Sequence, residues 1–150
     1  MSKPEFVYTT YIKTTPEKLW HALTDTEFTL SYWFGCSLHS DWKAGSPMQM
    51  YLDGKVVNEC VILESDPPRK LSYSWHSVYD PDLIKERPSR VTFVLEPAGA
   101  SVKLSVTHED FDEGSKTLPS ISGGWPLVLS SLKSILETGK PLDFDMPRSA

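Results

Sequence analysis

The fold of this chain is decided by residues 123–141, which read GGWPLVLSSLKSILETGKP. Apolar side chains recur in this stretch at steps of three and four residues, so they lie along one face of an α-helix. They are Trp125, Val128, Leu129, Leu132, Ile135 and Leu136. An apolar face of this length needs a large apolar surface to pack against, and the rest of the chain has to supply it.

The sequence defines the end of this helix clearly, but it leaves the start ambiguous. Gly139 suits the left-handed conformation that ends many helices, and a proline two residues later prevents the helix from resuming. The pattern as a whole predicts a helix from about Leu118 to Thr138. The Gly-Gly pair at 123–124 and Pro126 leave two starts open: a helix that begins at Trp125, or an earlier helical segment that is kinked there.

The start of the chain predicts one strand followed by two short helices. Residues 6–12 are β-branched and aromatic, as is typical of a strand. Thr15 and Pro16 form a helix start, because a hydroxyl group can cap the first turn and proline fits the first helical position. The first helix is predicted to reach about Thr24, and a second is predicted over residues 26–33.

From Ser37 the apolar pattern changes to a period of two, which is typical of strands with one buried face. Asp53-Gly54 predicts a tight hairpin turn. Mixed alternation predicts a bulge or bend near residues 58–61. The predicted strands cover residues 38–43, 48–52, 56–64, 71–76, 91–95 and 102–108.

The predicted fold class is α+β: a curved antiparallel sheet of about six to seven strands wrapped around a long C-terminal helix, with two short helices after the first strand. Short turns between consecutive strands favour antiparallel pairing, and the sheet and the helix each have one apolar face to bury. Residues 1–142 are expected to form a single domain and residues 143–150 a loosely ordered tail.

Composition argues against several classes of function. The net charge of -5, without runs of Lys or Arg, argues against binding to nucleic acid or to an anionic membrane surface. Without a secretory signal or a long apolar segment, we expect a cytoplasmic protein with no membrane insertion. Cys36 and Cys60 are too few for a disulfide framework and too isolated for a zinc site. Neither a metal nor a cofactor is expected.

Five segments, taken in order along the chain, resemble a known family. They are residues 15–20 (TPEKLW), 66–71 (DPPRKL), 89–93 (SRVTF), 106–108 (VTH) and 124–139 (GWPLVLSSLKSILETG). The chain resembles the START-like superfamily, also called the SRPBCC or helix-grip proteins, which includes the birch-pollen-allergen fold. Within it, the chain is similar to the branch named after the C-terminal domain of the activator of heat-shock protein 90 ATPase.

The resemblance implies a fold and several functions. Members of the superfamily bind lipids, sterols and other apolar small molecules between sheet and helix, some act as polyketide cyclases, and the eponymous co-chaperone stimulates an ATPase. Our leading hypothesis is a non-enzymatic binding module for an apolar or amphipathic small molecule. The alternatives are a co-chaperone-like module whose partner is a heat-shock protein 90 chaperone, and a cyclase- or hydrolase-like enzyme. The chain has no room for the co-chaperone's separate N-terminal domain, which weighs against the chaperone role.

The candidate site is the set of side chains expected to face the space between sheet and helix. Ligand sites are concave and mostly apolar with a few polar groups, and methionine accommodates ligands of varied shape. The same residue types suit a packed core equally well. The set comprises Trp33, Phe34, Trp42, Met48, Met50, Tyr73, Trp75, Phe93, His108, Trp125, Leu129 and Leu132.

His108 is the sharpest polar candidate in this set. Alternation with Leu104 and Val106 points it inward, where an imidazole could serve as a hydrogen-bonding handle or a general base. Inward histidines are more often core residues whose nitrogens bond to the backbone or a tyrosine hydroxyl, and this interpretation is favoured. No catalytic residue is assigned. Two polar loops, residues 77–89 and 109–116, are candidates for gating a cavity mouth.

Overall fold

The computed structural model describes residues 4–143, which form the seven strands and four helices of an α+β fold. The elements are β1 Phe6–Ile12, α1 Pro16–Thr24, α2 Thr26–Tyr32, β2 Cys36–Ser40, β3 Pro47–Leu52, β4 Lys55–Asp66, β5 Lys70–Trp75, α3 Pro81–Ile84, β6 Ser89–Ala98, β7 Ser101–Glu109 and α4 Thr117–Thr138. This order confirms the predicted helix-grip class. The predicted tail lies, apart from Asp143, outside the described residues.

All seven strands form one antiparallel sheet in the order β1-β7-β6-β5-β4-β3-β2. The first strand therefore pairs with the last, and the others follow as a meander. In β7 the inward residues, Val102 to His108 at every second position, are buried, while their neighbours are half-buried. One face of the sheet thus supplies the apolar surface that α4 requires.

The long helix begins at Thr117, so of the two predicted starts the earlier one is correct. Gly123, Gly124 and Pro126 all lie inside it. Pro126 has no N–H group to donate along the helix, but buried side chains on both sides of it, Ile121 and Val128 among them, hold the helix against the core. Tertiary packing of an apolar face therefore outweighs the local preference of these residues.

The cap predicted for the first short helix is present, and the second short helix has a side-chain cap as well. The Thr15 hydroxyl accepts a hydrogen bond from the backbone N–H of Lys18 at 3.2 Å, and Asp25 Oδ1 accepts one from that of Phe28 at 2.9 Å. The second helix ends one residue earlier than predicted, with Trp33 as its C-cap. Both helices lead the chain from the edge strand β1 to the opposite edge of the sheet.

Of two local predictions, one was wrong in its bounds and the other is confirmed. The strand predicted over residues 38–43 is Cys36–Ser40, because the chain turns at Trp42, whose φ is 63° and whose N–H donates to Ser40 Oγ. The bulge or bend predicted near residues 58–61 is confirmed: two register shifts flank this stretch, at Val57 and Leu63, which have no Cα partner. Residues 58–62 consequently keep a regular alternation, with Asn58, Cys60 and Ile62 buried.

Candidate functional site

The structure brings most of the predicted site residues together between the sheet and α4. Ten of the twelve are buried, and Phe34 and Trp42 are half-buried. Trp33 follows α2, the methionines lie on β3, the other sheet residues lie on β5, β6 and β7, and the last three lie on α4. Six different parts of the fold therefore contribute to one interior.

Three tryptophans meet at the centre of this interior, and we call them the indole cluster: Trp33, Trp75 and Trp125. Their ring centroids are 6.4 Å apart for Trp33 and Trp75 and 5.4 Å for each of the other two pairs. Trp125 also lies edge-on to Phe93 at 5.8 Å. In this part of the interior, the helix therefore contacts the sheet directly through aromatic rings.

The indole cluster lies close to the surface at one side. Trp33 and Trp75 retain 7% and 9% of their exposure, whereas Phe93, Leu129 and Leu132 retain 1% or less. Trp is rarely buried completely because of its size, so a small residual exposure suits a packed wall as well as a site entrance.

His108 is completely buried and both of its ring nitrogens have partners. Its Nδ1 accepts a hydrogen bond from Trp125 Nε1 at 3.0 Å, and its Nε2 lies 2.7 Å from Ser89 Oγ. Because Nδ1 accepts, the ring proton is on Nε2 and is donated to the Ser89 hydroxyl. That hydroxyl in turn donates to the carbonyl of Trp75 at 3.3 Å. The favoured prediction of a satisfied core histidine agrees with this geometry, but the partners are a serine and a tryptophan instead of backbone or tyrosine.

Burial lowers the pKa of His108 from 6.5 to about 3. The cause is desolvation, because burial removes the water that would solvate a positively charged imidazole. The lone pair of Nδ1 is already occupied by the Trp125 indole, so a general base at this position would first have to break that bond. The cyclase- or hydrolase-like hypothesis therefore gains no support from His108.

Two buried polar atoms on the inner face of the sheet have no hydrogen-bond partner in the described part of the chain: Asn58 Oδ1 and Trp75 Nε1. Asn58 is 3% exposed, and its amide nitrogen donates to Met50 Sδ at 3.3 Å. The sequence prediction missed Asn58 as a site residue. Its position along β4 could have identified it, because an amide that alternates with Cys60 and Ile62 must point inward.

Trp42 connects the interior with a groove on the outside. Its ring lies 6.4 Å from that of Tyr73. On its other side it borders a groove of about 530 Å³ that Trp20, Asp41 and Lys43 also line. Of the predicted set, Trp42 is therefore the residue farthest from a purely interior role.

The two polar loops that were candidates for a gate are joined to each other. Arg87 donates to Asp110, to Asp112 and to the carbonyl of Phe111, at 2.8, 2.8 and 3.1 Å. Glu86 accepts from Ser115 Oγ at 2.5 Å and from the backbone N–H of the next residue at 3.0 Å. We call this set of contacts the loop clamp. It holds Phe111 over the His108 ring, with centroids 4.8 Å apart.

Residues 4–143 contain no group of three His, Cys, Asp or Glu side chains that could share a metal ion. Burial raises the pKa of Cys36 to about 11, with a smaller contribution from Asp53, and that of Cys60 to about 12. Both thiols are therefore poor nucleophiles at neutral pH. Over the same range, none of the helices combines the length and hydrophobicity that crossing a membrane requires.

An antiparallel sheet packed on a long C-terminal helix, with an aromatic interior between them, defines the helix-grip class of proteins. Residues 13–137 match the model of the family described as activator of Hsp90 ATPase homolog 1-like protein, and the chain belongs to that family. The match spans α1 to α4 and leaves out only β1 and the two ends of the chain.

Solved structures share this fold. A protein of Mesorhizobium loti superposes with a TM-score of 0.76 at 27% sequence identity, over 89% of this chain and 96% of that one. The Aha1 dimer of Colwellia psychrerythraea gives 0.75 at 20% identity, over 91% and 98%. An HSP90 activator of Plasmodium falciparum gives 0.74 at 23%, over 88% and 95%. The last two likenesses establish the fold alone. Among curated proteins, none matches this sequence.

Proposed function

We propose that the chain is a cytoplasmic binding protein that takes up an apolar or amphipathic small molecule between the sheet and α4. The observation that carries the proposal is the indole cluster. Three large rings, from the C-cap of α2, from β5 and from α4, contact one another at the centre of the helix–sheet interface. A ligand that separates them exchanges ring–ring contacts for ring–ligand contacts, so little apolar burial is lost on opening.

The surrounding side chains support the same proposal. Met48 and Met50 line the interior from β3, and methionine adapts its shape at a low energetic cost. The neighbouring aromatic residues Tyr73 and Phe93 extend the apolar wall, with ring centroids 5.6 Å apart. Two free cysteines, Cys36 and Cys60, are in keeping with a reducing compartment.

The affinity of such a site is set by the apolar area that the ligand covers. Covering about 200 Å² contributes on the order of 5 kcal/mol at ~25 cal/mol per Å², before the entropic cost of binding. Moving the indole rings apart reduces this further. Small probes are therefore expected to bind with dissociation constants above the micromolar range, and titrations have to extend to millimolar concentrations where solubility allows.

The five tryptophans provide a direct test, since each contributes one indole N–H resonance to a ¹H–¹⁵N spectrum. We expect titration with N-phenyl-1-naphthylamine, an uncharged apolar probe, to shift the resonances of Trp33, Trp75 and Trp125. Trp20 is the internal control, because it borders the outer groove instead of the cluster. Assignments come from single Trp→Phe variants. A shift confined to Trp20, or no saturable shift at all, would contradict the proposal.

A truncation separates a natural site from an artificial one. Trp33→Ala removes a ring from the indole cluster and leaves a cavity, which can itself bind an apolar probe. If the wild-type protein binds the probe, the site exists in the native fold. If only Trp33→Ala binds it, the native interior is a packed core and the proposal fails.

The family match favours a second candidate, a co-chaperone-like role. Such a role needs an exposed docking surface, and Val61 and Leu63 are 44% and 45% exposed on the outer side of β4. The test is the ATPase rate of a purified heat-shock protein 90 with and without this protein. Stimulation that Val61→Asp abolishes would support the role, and an unchanged rate at saturating protein would reject it.

A further inference from the structure

We infer that the interior site selects an uncharged ligand carrying a hydroxyl group, which Trp75 Nε1 and Asn58 Oδ1 bind together. This inference rests on the proposed function and adds the chemical class of the ligand. One of the two atoms is a hydrogen-bond donor and the other an acceptor, and both are buried without a partner in the described part of the chain. More than nine in ten buried polar groups are normally paired.

The orientation of the Asn58 amide is fixed by chemistry. Its Nδ2 lies 3.3 Å from Met50 Sδ. A thioether sulfur can only accept a hydrogen bond, so the atom that faces it must be the NH₂ group. The carbonyl oxygen Oδ1 is therefore the atom left without a donor. The indole of Trp75, in contrast, can only donate.

The strand register places the two residues next to each other. Asn58 pairs with Ser77 across β4 and the end of β5. Trp75 precedes Ser77 by two residues and so points to the same face of the sheet as Asn58. Diagonal neighbours of this kind have Cα atoms about 7–8 Å apart, which long side chains can bridge.

The same diagonal relationship is bridged elsewhere in the sheet. Val91 pairs with His108, and Ser89 precedes Val91 by two residues. The polar atoms of Ser89 and His108 approach to 2.7 Å. Asn58 and Trp75 form no direct hydrogen bond. A polar group of a ligand placed between them can therefore join the two side chains by hydrogen bonds.

The group that completes the pattern must accept one hydrogen bond and donate another. A hydroxyl does both through one atom: its oxygen accepts from Trp75 Nε1, and its hydrogen is donated to Asn58 Oδ1. Pairing two buried groups that are otherwise unpaired recovers their desolvation cost. The hydroxyl therefore contributes more to the binding affinity here than it would at the surface.

The interior also disfavours a charged ligand. The buried polar residues of the described chain are Thr29, Asn58, Ser72, Ser77, Ser89, His108, Thr117 and Ser131, which include no Asp, Glu, Lys or Arg. A carboxylate in this position would be buried without a counter-charge and would face the oxygen of Asn58. We therefore expect neutral alcohols or phenols to bind in preference to fatty-acid-like anions.

Three probes of one size test this preference: 2-naphthol, naphthalene and 2-naphthoate. From the indole N–H titrations we expect 2-naphthol to bind about tenfold more tightly than naphthalene, as two recovered hydrogen bonds allow. We expect 2-naphthoate to bind more weakly than either. The Trp75 N–H resonance is expected to move downfield with 2-naphthol only, since a new hydrogen bond deshields its proton.

Two variants remove one partner each. Asn58→Leu deletes the acceptor and Trp75→Phe deletes the donor. Because either variant leaves one of the two hydrogen bonds, the preference for 2-naphthol over naphthalene is expected to fall to about threefold. Trp33→Phe is the matched control, because it replaces a ring that contacts Trp75 but removes neither of the two polar atoms, and its preference should stay near tenfold. If Asn58→Leu fails to fold, Trp75→Phe still decides the question.

The possible outcomes separate this inference from the proposed function. If wild-type protein binds naphthalene and 2-naphthol equally well, the site exists but the two polar atoms are served by an ordered water only, and the inference is wrong. Tightest binding of 2-naphthoate would also overturn it. If none of the three probes and no N-phenyl-1-naphthylamine binds, the proposed function fails and the inference with it.

Discussion

The indole Nε1 of Trp125 donates a hydrogen bond of 3.0 Å to Nδ1 of His108. This bond is buried, and it joins the middle of α4 to the last inward-facing position of β7. It also fixes the tautomer of the imidazole, which passes its own proton to Ser89. One tryptophan therefore both supplies a ring to the indole cluster and determines the tautomer of the buried histidine.

The first prediction concerns the energy of this bond. Trp125→Phe leaves Nδ1 of His108 without a donor, and His108→Leu leaves the indole N–H without an acceptor. Each single variant is expected to lose about 1–3 kcal/mol from this cause, in addition to any packing loss. Because the double variant removes both partners, its loss should be smaller than the sum of the two. Chemical denaturation of all four proteins gives the coupling energy. Strictly additive losses would show that the bond contributes nothing.

The second prediction concerns pH. The pKa of His108 is lowered from 6.5 to about 3 by burial, so the folded protein keeps it neutral while the unfolded chain takes up a proton. The resulting stability is complete above pH 6.5 and is lost as the pH falls towards 3, at a slope of up to about 1.4 kcal/mol per pH unit.

The measurement is the unfolding free energy of wild-type protein and His108→Leu between pH 7 and pH 4. Other groups, such as Asp82 and Glu137 with their lowered pKa values, contribute equally to both proteins. The difference between the two curves therefore isolates His108. We expect wild-type protein to lose its advantage over the variant with acidification, and parallel curves would refute a buried neutral imidazole.

The third prediction uses two glycines of α4 that differ in backbone conformation. Gly123 is helical, and a Cβ atom built there meets no atom within 4 Å, so Gly123→Ala should stabilise the protein by about 0.5–1 kcal/mol. Gly139 ends the helix with a φ of 83°, so Gly139→Ala should destabilise it by about 1–2 kcal/mol. Thermal and urea unfolding measure both. Destabilisation by Gly123→Ala would mean that α4 is not continuous through this residue.

The fourth prediction concerns the loop clamp. Arg87→Gln removes the cation that joins Asp110 and Asp112, both of which raise the pKa of the guanidinium group, Asp110 more strongly. We expect faster hydrogen exchange of the backbone amides of residues 110–116, with little change in the strands. Lys85→Gln is the control, since it removes a positive charge from the same loop without breaking the clamp.

Salt provides a second test of the clamp. Exposed ion pairs are screened over a Debye length of about 10 Å at 0.1 M salt. In wild-type protein, the protection of residues 110–116 against hydrogen exchange should therefore fall as the sodium chloride concentration is raised. In Arg87→Gln, this protection should depend less on the salt concentration. An equal response of the two proteins would indicate that the carbonyl and hydroxyl contacts hold the loop without the ion pairs.

Much of the fold could be predicted because its signals are local. The β6–β7 hairpin follows from alternation along each strand, and the turn at Asp53-Gly54 has the positive φ values, 51° and 77°, that this dipeptide favours. The start of α4 could not be predicted, because Pro126 and the Gly-Gly pair oppose a helix locally while distant packing partners stabilise it.

The candidate site was predictable as a list of residues but not as a set of contacts. Alternation pointed His108 inward, yet it could not identify Ser89 and Trp125 as its partners, because one is 19 and the other 17 residues away. Asn58 was missed because alternation is interrupted beside it, where the register shifts at Val57 and Leu63 lie.

The sequence by itself determined which face of each element is apolar, since periods of two and of 3.6 are properties of the local backbone. It thereby determined that a long helix must be covered by a sheet. Only the tertiary structure decided that Trp33, Trp75 and Trp125 meet at one point and that Trp75 and Asn58 are left with unpaired atoms. Those facts depend on strand register and helix placement, which the packing of the whole chain sets.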